Sequence, residues 1–257
     1  MTGQSSKAVP ARRRFWEIDT ARGIAVVLMI FFHLMWDLSF FGAYSGSMLA
    51  PPWRIFARSI GSTFIFLMGL SLTLAYHRLR LKLDGRQLFR KFLLRGVIIF
   101  GWGMVITAVT YFVLGRGFVV FGILHLLGLS TILAYPFLRW RWASLAAGIA
   151  CIVLGAYAND VMSTSPWLLW LGVRQLGRYM VDFYPLLPWF GVALLGVFCG
   201  LSLYPAGIPR FDLPDLSPKP PIRALTFLGR HSLVIYLVHQ PIILGTLVLM
   251  GVGSISM

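Results

Sequence analysis

Long apolar runs alternate with short polar stretches along the whole chain. Seven runs approach the roughly 20 residues that cross a bilayer as a helix. The pattern predicts helices over 20–41, 57–77, 94–114, 118–138, 142–158, 185–204 and 227–250. A Gly/Ser/Pro segment fills 42–53. Residues 78–95, RLRLKLDGRQLFRKFLLR, read as a basic loop with an amphipathic entry to the next helix. RWRW, Arg139 to Trp142, reads as an interfacial turn, and 205–223 as a proline-rich loop. Segment 159–184 has an apolar part, Trp167 to Val173, too short to span, so a short re-entrant or surface helix is expected there. The expected fold is all-α, a polytopic membrane bundle of about seven helices. Residues 1–13 read as a disordered basic tail and 14–257 as one transmembrane domain.

The first run departs from a plain membrane helix. Within RFWEIDTARGIAVVLMIFFHLMWDL, Asp19, Arg22, Val26, Ile30, His33 and Asp37 fall on one stripe at 3.6 residues per turn. Val27, Leu28 and Leu34 lie opposite, free to meet lipid or other helices. Ionisable groups inside a bilayer are expensive and mark a working site by default. His33 and Asp37 are four residues apart, so their side chains are neighbours. A carboxylate there is expected to fix the imidazole tautomer, as general-base chemistry needs. The stripe also fits a blander reading, with Asp19–Arg22 as an interfacial ion pair and Asp37 as a solvated helix end.

Composition sharpens the class. Of 257 residues, 58% are hydrophobic and only 12% charged. The net charge of +15 would suggest nucleic acid in a soluble protein. Here the cations sit between apolar runs, which points to topology and anionic lipid headgroups, and no nucleic-acid motif is visible. With the amino terminus inside, the outer segments hold only Arg54, Arg58, Arg116, Arg174 and Arg178. Arg22 aside, the rest of the 23 lysines and arginines fall inside. The expected orientation is amino terminus in, carboxyl terminus out. Cys151 and Cys199 lie in apolar runs without disulfide or metal spacing, so no metal is expected.

Other polar residues in apolar helices extend the candidate set. His125 lies in FGILHLLGLS, and Ser232, Tyr236 and His239 share a face of the last helix. Pro241 removes a backbone hydrogen bond beside Gln240. The first, fourth and seventh helices would then converge on a polar cavity. Equally, each histidine would make one interhelical hydrogen bond and nothing more. Asp182, in DFYPLLPW, either lines an acceptor entrance or is simply solvated. Gly196 and Gly200 have the spacing of close helix packing. Arg90 and Arg95, in the basic stretch, suit phosphates as well as topology.

EIDTARGIAVVLMIFFHLMWDL resembles the opening signature of the heparan-α-glucosaminide N-acetyltransferase catalytic-domain family, in its short bacterial form. GILHLLGLS, DFYPLLPWFGVALLGVFCG and LGRHSLVIYLVHQP are similar to later blocks, in the same order. The opening is also similar to integral-membrane acyltransferases that O-acetylate bacterial surface polysaccharides. The resemblance implies an enzyme of the inner membrane. It would take acetyl from cytoplasmic acetyl-CoA and deliver it to a sugar or glycan facing away from the cytoplasm. His33 matches the catalytic histidine of the O-acetylating relatives. The lysosomal branch has Asn at that position and draws its histidine from a following segment, but 38–56 here contains none. The resemblance thus implies His33 as base, or as transient acyl carrier, with Asp37 orienting it. Arg22, with Arg90 or Arg95, would meet CoA phosphates. Asp19, His125, Asp182, Tyr236 and His239 would position substrate. A transporter or lipid-handling protein without covalent chemistry, and a haem protein using two of the histidines, are the alternatives. A homo-oligomer is left open.

Overall fold

The computed structural model describes residues 15–163, 165–175 and 180–252. The expected disorder of 1–13, and Arg178, lie outside the described residues. Eight α-helices occur among them: α1 Trp16–Phe40, α2 Pro51–Leu79, α3 Gly85–Leu114, α4 Ile123–Leu133, α5 Arg141–Asp160, α6 Leu186–Leu203, α7 Pro220–Arg230 and α8 Ser232–Leu249. Tyr135–Arg139, Pro166–Leu171 and Pro205–Gly207 form 3-10 turns. Met162–Ser163 and Arg174–Gln175 form a two-residue parallel ladder. Six helices, α1, α2, α3, α5, α6 and α8, are long and apolar enough to cross a membrane.

The chain divides into two compact units, one of residues 1–46 and 214–257, the other of 47–213. In the smaller, α1 packs against α7 and α8. Two glycines set how closely α1 and α7 approach. A Cβ on Gly23 would run into the carbonyl of Leu225, and one on Gly229 into the carbonyl of Asp19. The polar stripe of α1 turns inward: Val26 and Asp37 are buried and Asp19, Arg22, Ile30 and His33 half-buried, whereas on the opposite face Val27 and Leu28 are exposed and Leu34 is half-buried.

In the larger unit, α2 and α6 run parallel. Gly196 lies on the Phe66 carbonyl, Gly200 on Leu70 and Thr73, and Gly69 on the Ala193 carbonyl. The Gly196–Gly200 pair therefore serves helix packing, as its spacing suggests. α5 and α6 are antiparallel, with Gly148 against Gly191 and Gly155 against Pro188. α3 exposes Ile98, Trp102, Met104, Val105, Val109 and Phe112, an apolar face that water would penalise.

Three element boundaries differ from expectation, each for a local reason. Of residues 78–95, only 80–84 form a loop. Asp84 accepts a hydrogen bond from the Gln87 N–H at 2.8 Å and starts α3, so Arg86, Arg90, Lys91 and Arg95 ride on a helix. The last expected helix divides at His231, whose N–H is shared between the carbonyls of Phe227 and Leu228, and α7 reaches back to Pro220. The expected helix over 118–138 is α-helical only from Ile123 to Leu133. Its start is fixed because the backbone of 117–121 pairs elsewhere, Val181 donating to Gly117 and Tyr184 to Phe121, each at 3.1 Å. Near its end Pro136 lacks an N–H and the chain tightens into a 3-10 turn.

That stretch nevertheless runs the length of α3. Val119 N–H meets Thr110 Oγ1 at 3.1 Å, Gly128 packs on Gly96, and the Tyr135 hydroxyl reaches the Gly85 carbonyl at 3.4 Å. The chain from Val119 to Tyr135 thus returns antiparallel along α3 from near its end to its first residue. In 159–184, the expected short helix is the 3-10 turn Pro166–Leu171.

Candidate functional site

The smaller unit gathers six of the polar residues singled out in the sequence, in two layers along α1. The inner layer joins α1 to α8. The imidazoles of His33 and His239 meet edge to face, with ring centroids 4.7 Å apart and planes at 79°. His33 Nδ1 lies 2.9 Å from the Met29 carbonyl, and His239 Nδ1 lies 2.7 Å from the Tyr236 carbonyl. A carbonyl only accepts, so each Nδ1 carries the hydrogen and donates it. In the neutral rings each Nε2 is then left with a lone pair. His239, 7% exposed, has its Nε2 buried with no hydrogen-bond partner among the described residues. Tyr236 contributes its carbonyl, and its ring lies 5.7 Å from the His239 ring.

One expectation is corrected here. Asp37 does not hold the His33 ring. His33 is four residues from both Met29 and Asp37, and its Nδ1 takes the carbonyl of the preceding turn instead. Asp37, only 3% exposed, accepts the Gln240 side-chain amide, Nε2 lying 2.8 Å from Oδ1 and 3.0 Å from Oδ2. A carboxylate repels an amide oxygen, so the amide must face it with nitrogen. That turns Gln240 Oε1 away, buried and without a partner among the described residues. No arginine or lysine pairs with Asp37 among the described residues. Gln240 went unrecognised in the sequence. A polar amide between His239 and Pro241 in an apolar helix is the signal that marks it, and α8 continues unbroken through Pro241.

The second layer lies three to four turns earlier on α1. Asp19 Oδ1 meets Arg22 at 3.2 Å, and Asp19 Oδ2 meets Nε of Arg230, at the end of α7, also at 3.2 Å. The ion pair expected from Asp19 and Arg22 is there, with a second arginine that the sequence did not single out.

The remaining candidates belong to the larger unit. His125 is 1% exposed and held on both nitrogens. The Gly122 N–H donates to its Nδ1 at 3.2 Å, so Nε2 carries the hydrogen and meets Thr107 Oγ1 at 3.3 Å. Phe121 stacks on the ring and Phe100 meets it edge-on. Asp182 Oδ2 accepts the Ile123 N–H at 3.1 Å. His125 and Asp182 together satisfy the first N–H groups of α4, which no helix can satisfy internally. The contact with Thr107 is the single interhelical hydrogen bond weighed for His125 in the sequence, and the contact with Gly122 adds to it. Nearby Tyr184 has its phenol pushed above the usual range by burial and by the Asp182 carboxylate. Arg90 and Arg95 are exposed on α3. Among the described residues no group of three or more His, Cys, Asp or Glu is placed to hold a metal.

Six long apolar helices with ionisable groups turned inward define an integral membrane protein. The family model of the heparan-alpha-glucosaminide N-acetyltransferase catalytic domain matches residues 14–241, and the chain belongs to that family. The match includes both layers of α1 and ends just past His239 and Gln240. No curated protein and no solved structure matches the chain. The family and the helices together suggest a transmembrane acetyltransferase.

Proposed function

We propose that the protein moves an acetyl group from cytoplasmic acetyl-CoA to an amine or hydroxyl of a sugar or glycan on the far side of the membrane. The observation that carries this reading is the pair of imidazoles, His33 and His239, each with Nδ1 committed to a carbonyl and Nε2 left as a base. An acceptor N–H or O–H must lose its proton as it attacks the thioester carbonyl. His33 Nε2 takes that proton, the acceptor atom bonds to the acetyl carbon, and the carbon–sulfur bond breaks. The proton then serves the departing CoA thiolate. The Met29 carbonyl does the tautomer-setting work that a carboxylate does in other sites. The two rings are in direct contact, which leaves no room for a porphyrin between them and disfavours the haem alternative.

In this reading Asp37 acts through its charge rather than by contact. Asp37 lies one helical turn beyond His33, and a carboxylate at that position favours the imidazolium through space. Asp37→Asn keeps an acceptor oxygen for Gln240, so the fold is expected to survive. Its kcat should fall about tenfold, the rate equivalent of about 1.4 kcal/mol, with little change in the KM for acetyl-CoA. A variant with unchanged kcat would remove Asp37 from the chemistry.

The proposal includes seven passes, with the stretch around α4 as the fourth, the amino terminus inside and the carboxyl terminus outside. The antiparallel run of 119–135 along α3 supports it, as does the crowding of cations at one side. A reporter active only in the cytoplasm and fused after Met257 is expected to stay silent; activity would make the passes even in number. The reading as a whole is tested by incubating the purified protein with labelled acetyl-CoA and membrane glycans and lipids. Mass analysis should find acetyl on a glycan amine or hydroxyl, and unlabelled glycans would contradict it.

A further inference from the structure

We propose, on the acetyl-transfer reading above, that Gln240 positions the acceptor: Asp37 holds its amide so that the side-chain oxygen accepts a hydrogen bond from an N–H or O–H of the sugar. Two hydrogen-bond acceptors in the layer between α1 and α8, Gln240 Oε1 and His239 Nε2, are buried and without a partner among the described residues. They come from consecutive residues of α8. The His239 ring is buried and lies edge to face on His33, and the Gln240 amide lies on Asp37, one turn further along α1. An acceptor kept from water costs free energy until a donor meets it. Two such atoms side by side in an apolar helix therefore mark a place where a ligand supplies the donors.

The amide cannot turn round to change what it offers. Its nitrogen lies 2.8 Å from Asp37 Oδ1 and 3.0 Å from Oδ2, and an ionised carboxylate has only lone pairs to give. Reversal would set the amide oxygen against both. Asp37 thus fixes Gln240 Oε1 as an acceptor, much as the Met29 carbonyl fixes the free nitrogen of His33. His33 Nε2, His239 Nε2 and Gln240 Oε1 then each present a lone pair. That polarity suits a molecule bringing several donor hydrogens, and a sugar does, with amine or hydroxyl groups on adjacent carbons. One hydrogen passes to His33 as the acceptor attacks, and Gln240 holds another, on the same group or on its neighbour. The thioester carbonyl brings no hydrogen and gains nothing from these atoms.

The test uses the full chain in detergent, with glucosamine as acceptor probe and labelled acetyl-CoA as donor. Three variants separate the oxygen from the helix tie. Gln240→Met removes both the oxygen and the bond to Asp37. Gln240→Lys keeps a donor for Asp37 but has no oxygen. Asp37→Asn combined with Gln240→Glu reverses the bond, the new amide donating to the new carboxylate, and leaves a second carboxylate oxygen as acceptor. The KM for glucosamine is expected to rise about tenfold or more in Gln240→Met and Gln240→Lys, the equivalent of one desolvated acceptor left unpaired. It should stay within about threefold of wild type in the double variant, with the KM for acetyl-CoA little changed in all three. Gln240→Lys and the double variant keep the tie between α1 and α8, so the comparison holds should Gln240→Met fold poorly. An unchanged glucosamine KM in folded Gln240→Lys, or a double variant as impaired as Gln240→Lys, would reduce Gln240 to a helix tie and overturn the proposal. A rise confined to acetyl-CoA would put a donor N–H of CoA on the oxygen and overturn it as well. Glucosamine binding is also titrated calorimetrically without acetyl-CoA. Binding that depends on Gln240 in a protein that transfers no acetyl removes the transfer reading and keeps the sugar contact. Transfer by wild type with an unchanged KM in Gln240→Lys does the reverse.

Discussion

His33→Ala is expected to abolish acetyl transfer, with a loss of at least 1,000-fold in kcat, while acetyl-CoA still binds. The size follows from what is removed. General-base catalysis contributes typically 10²–10⁴-fold, and the neighbouring imidazole cannot fully replace His33, because His239 is tied to its own helix through the Tyr236 carbonyl. His33→Gln keeps an amide able to donate to Met29 and should be as inactive as the alanine variant, since the amide is no base. His239→Gln is expected to be milder if that ring only positions substrate or shares the proton. His125→Gln should cost stability more than rate, because that ring is held at both nitrogens by Gly122 and Thr107. Steady-state kinetics with labelled acetyl-CoA separates these cases. Near-normal turnover in His33→Ala would remove the mechanism, and selective loss at His239 would move the base to α8.

Gly196→Leu is expected to prevent folding of the larger unit. The Cβ would enter the Phe66 carbonyl, a backbone atom that cannot rotate away, and the parallel α2–α6 contact would have to open. Overpacking of this kind costs about 3 kcal/mol or more when backbone must shift. Helix association in membranes depends on such close approach. Gly101→Leu is the control: nothing lies within 4 Å of its Cβ position, and the substitution adds helix propensity. The folded, monodisperse fraction in detergent should collapse for the first variant and hold for the second. Equal yields would mean that the glycine contact does not limit folding.

Much of this was legible in the sequence, for one physical reason. A charge or imidazole in an apolar helix is so costly that its mere presence marks the inward face, so Asp19, Arg22, His33, Asp37 and His239 could be picked out without coordinates. Partners were less legible. Asp37 could be paired with His33 by spacing alone, yet the structure gives it Gln240, 203 residues away, and gives His33 the carbonyl of Met29. Backbone carbonyls carry no residue-type signal, and long-range pairs have no spacing rule. Arg230 was hidden for the same reason, as one cation among many at a helix end. The short α4 was hidden by its composition, since the apolar run over 118–138 is continuous and the N–H groups that fix its start are met by Asp182 from a distant segment. Gly196 and Gly200 were visible as a pattern, but only the structure shows which backbone they meet.

The most direct test is sided. The protein is reconstituted in one orientation into proteoliposomes, with labelled acetyl-CoA only on the side of the amino terminus and glucosamine, as a probe amine, only on the other. N-acetylated probe is expected to accumulate on the far side with wild type and not with His33→Gln, while acetyl-CoA stays confined to its own compartment. Label that appears only as free acetate, or that crosses as intact acetyl-CoA, would contradict that expectation.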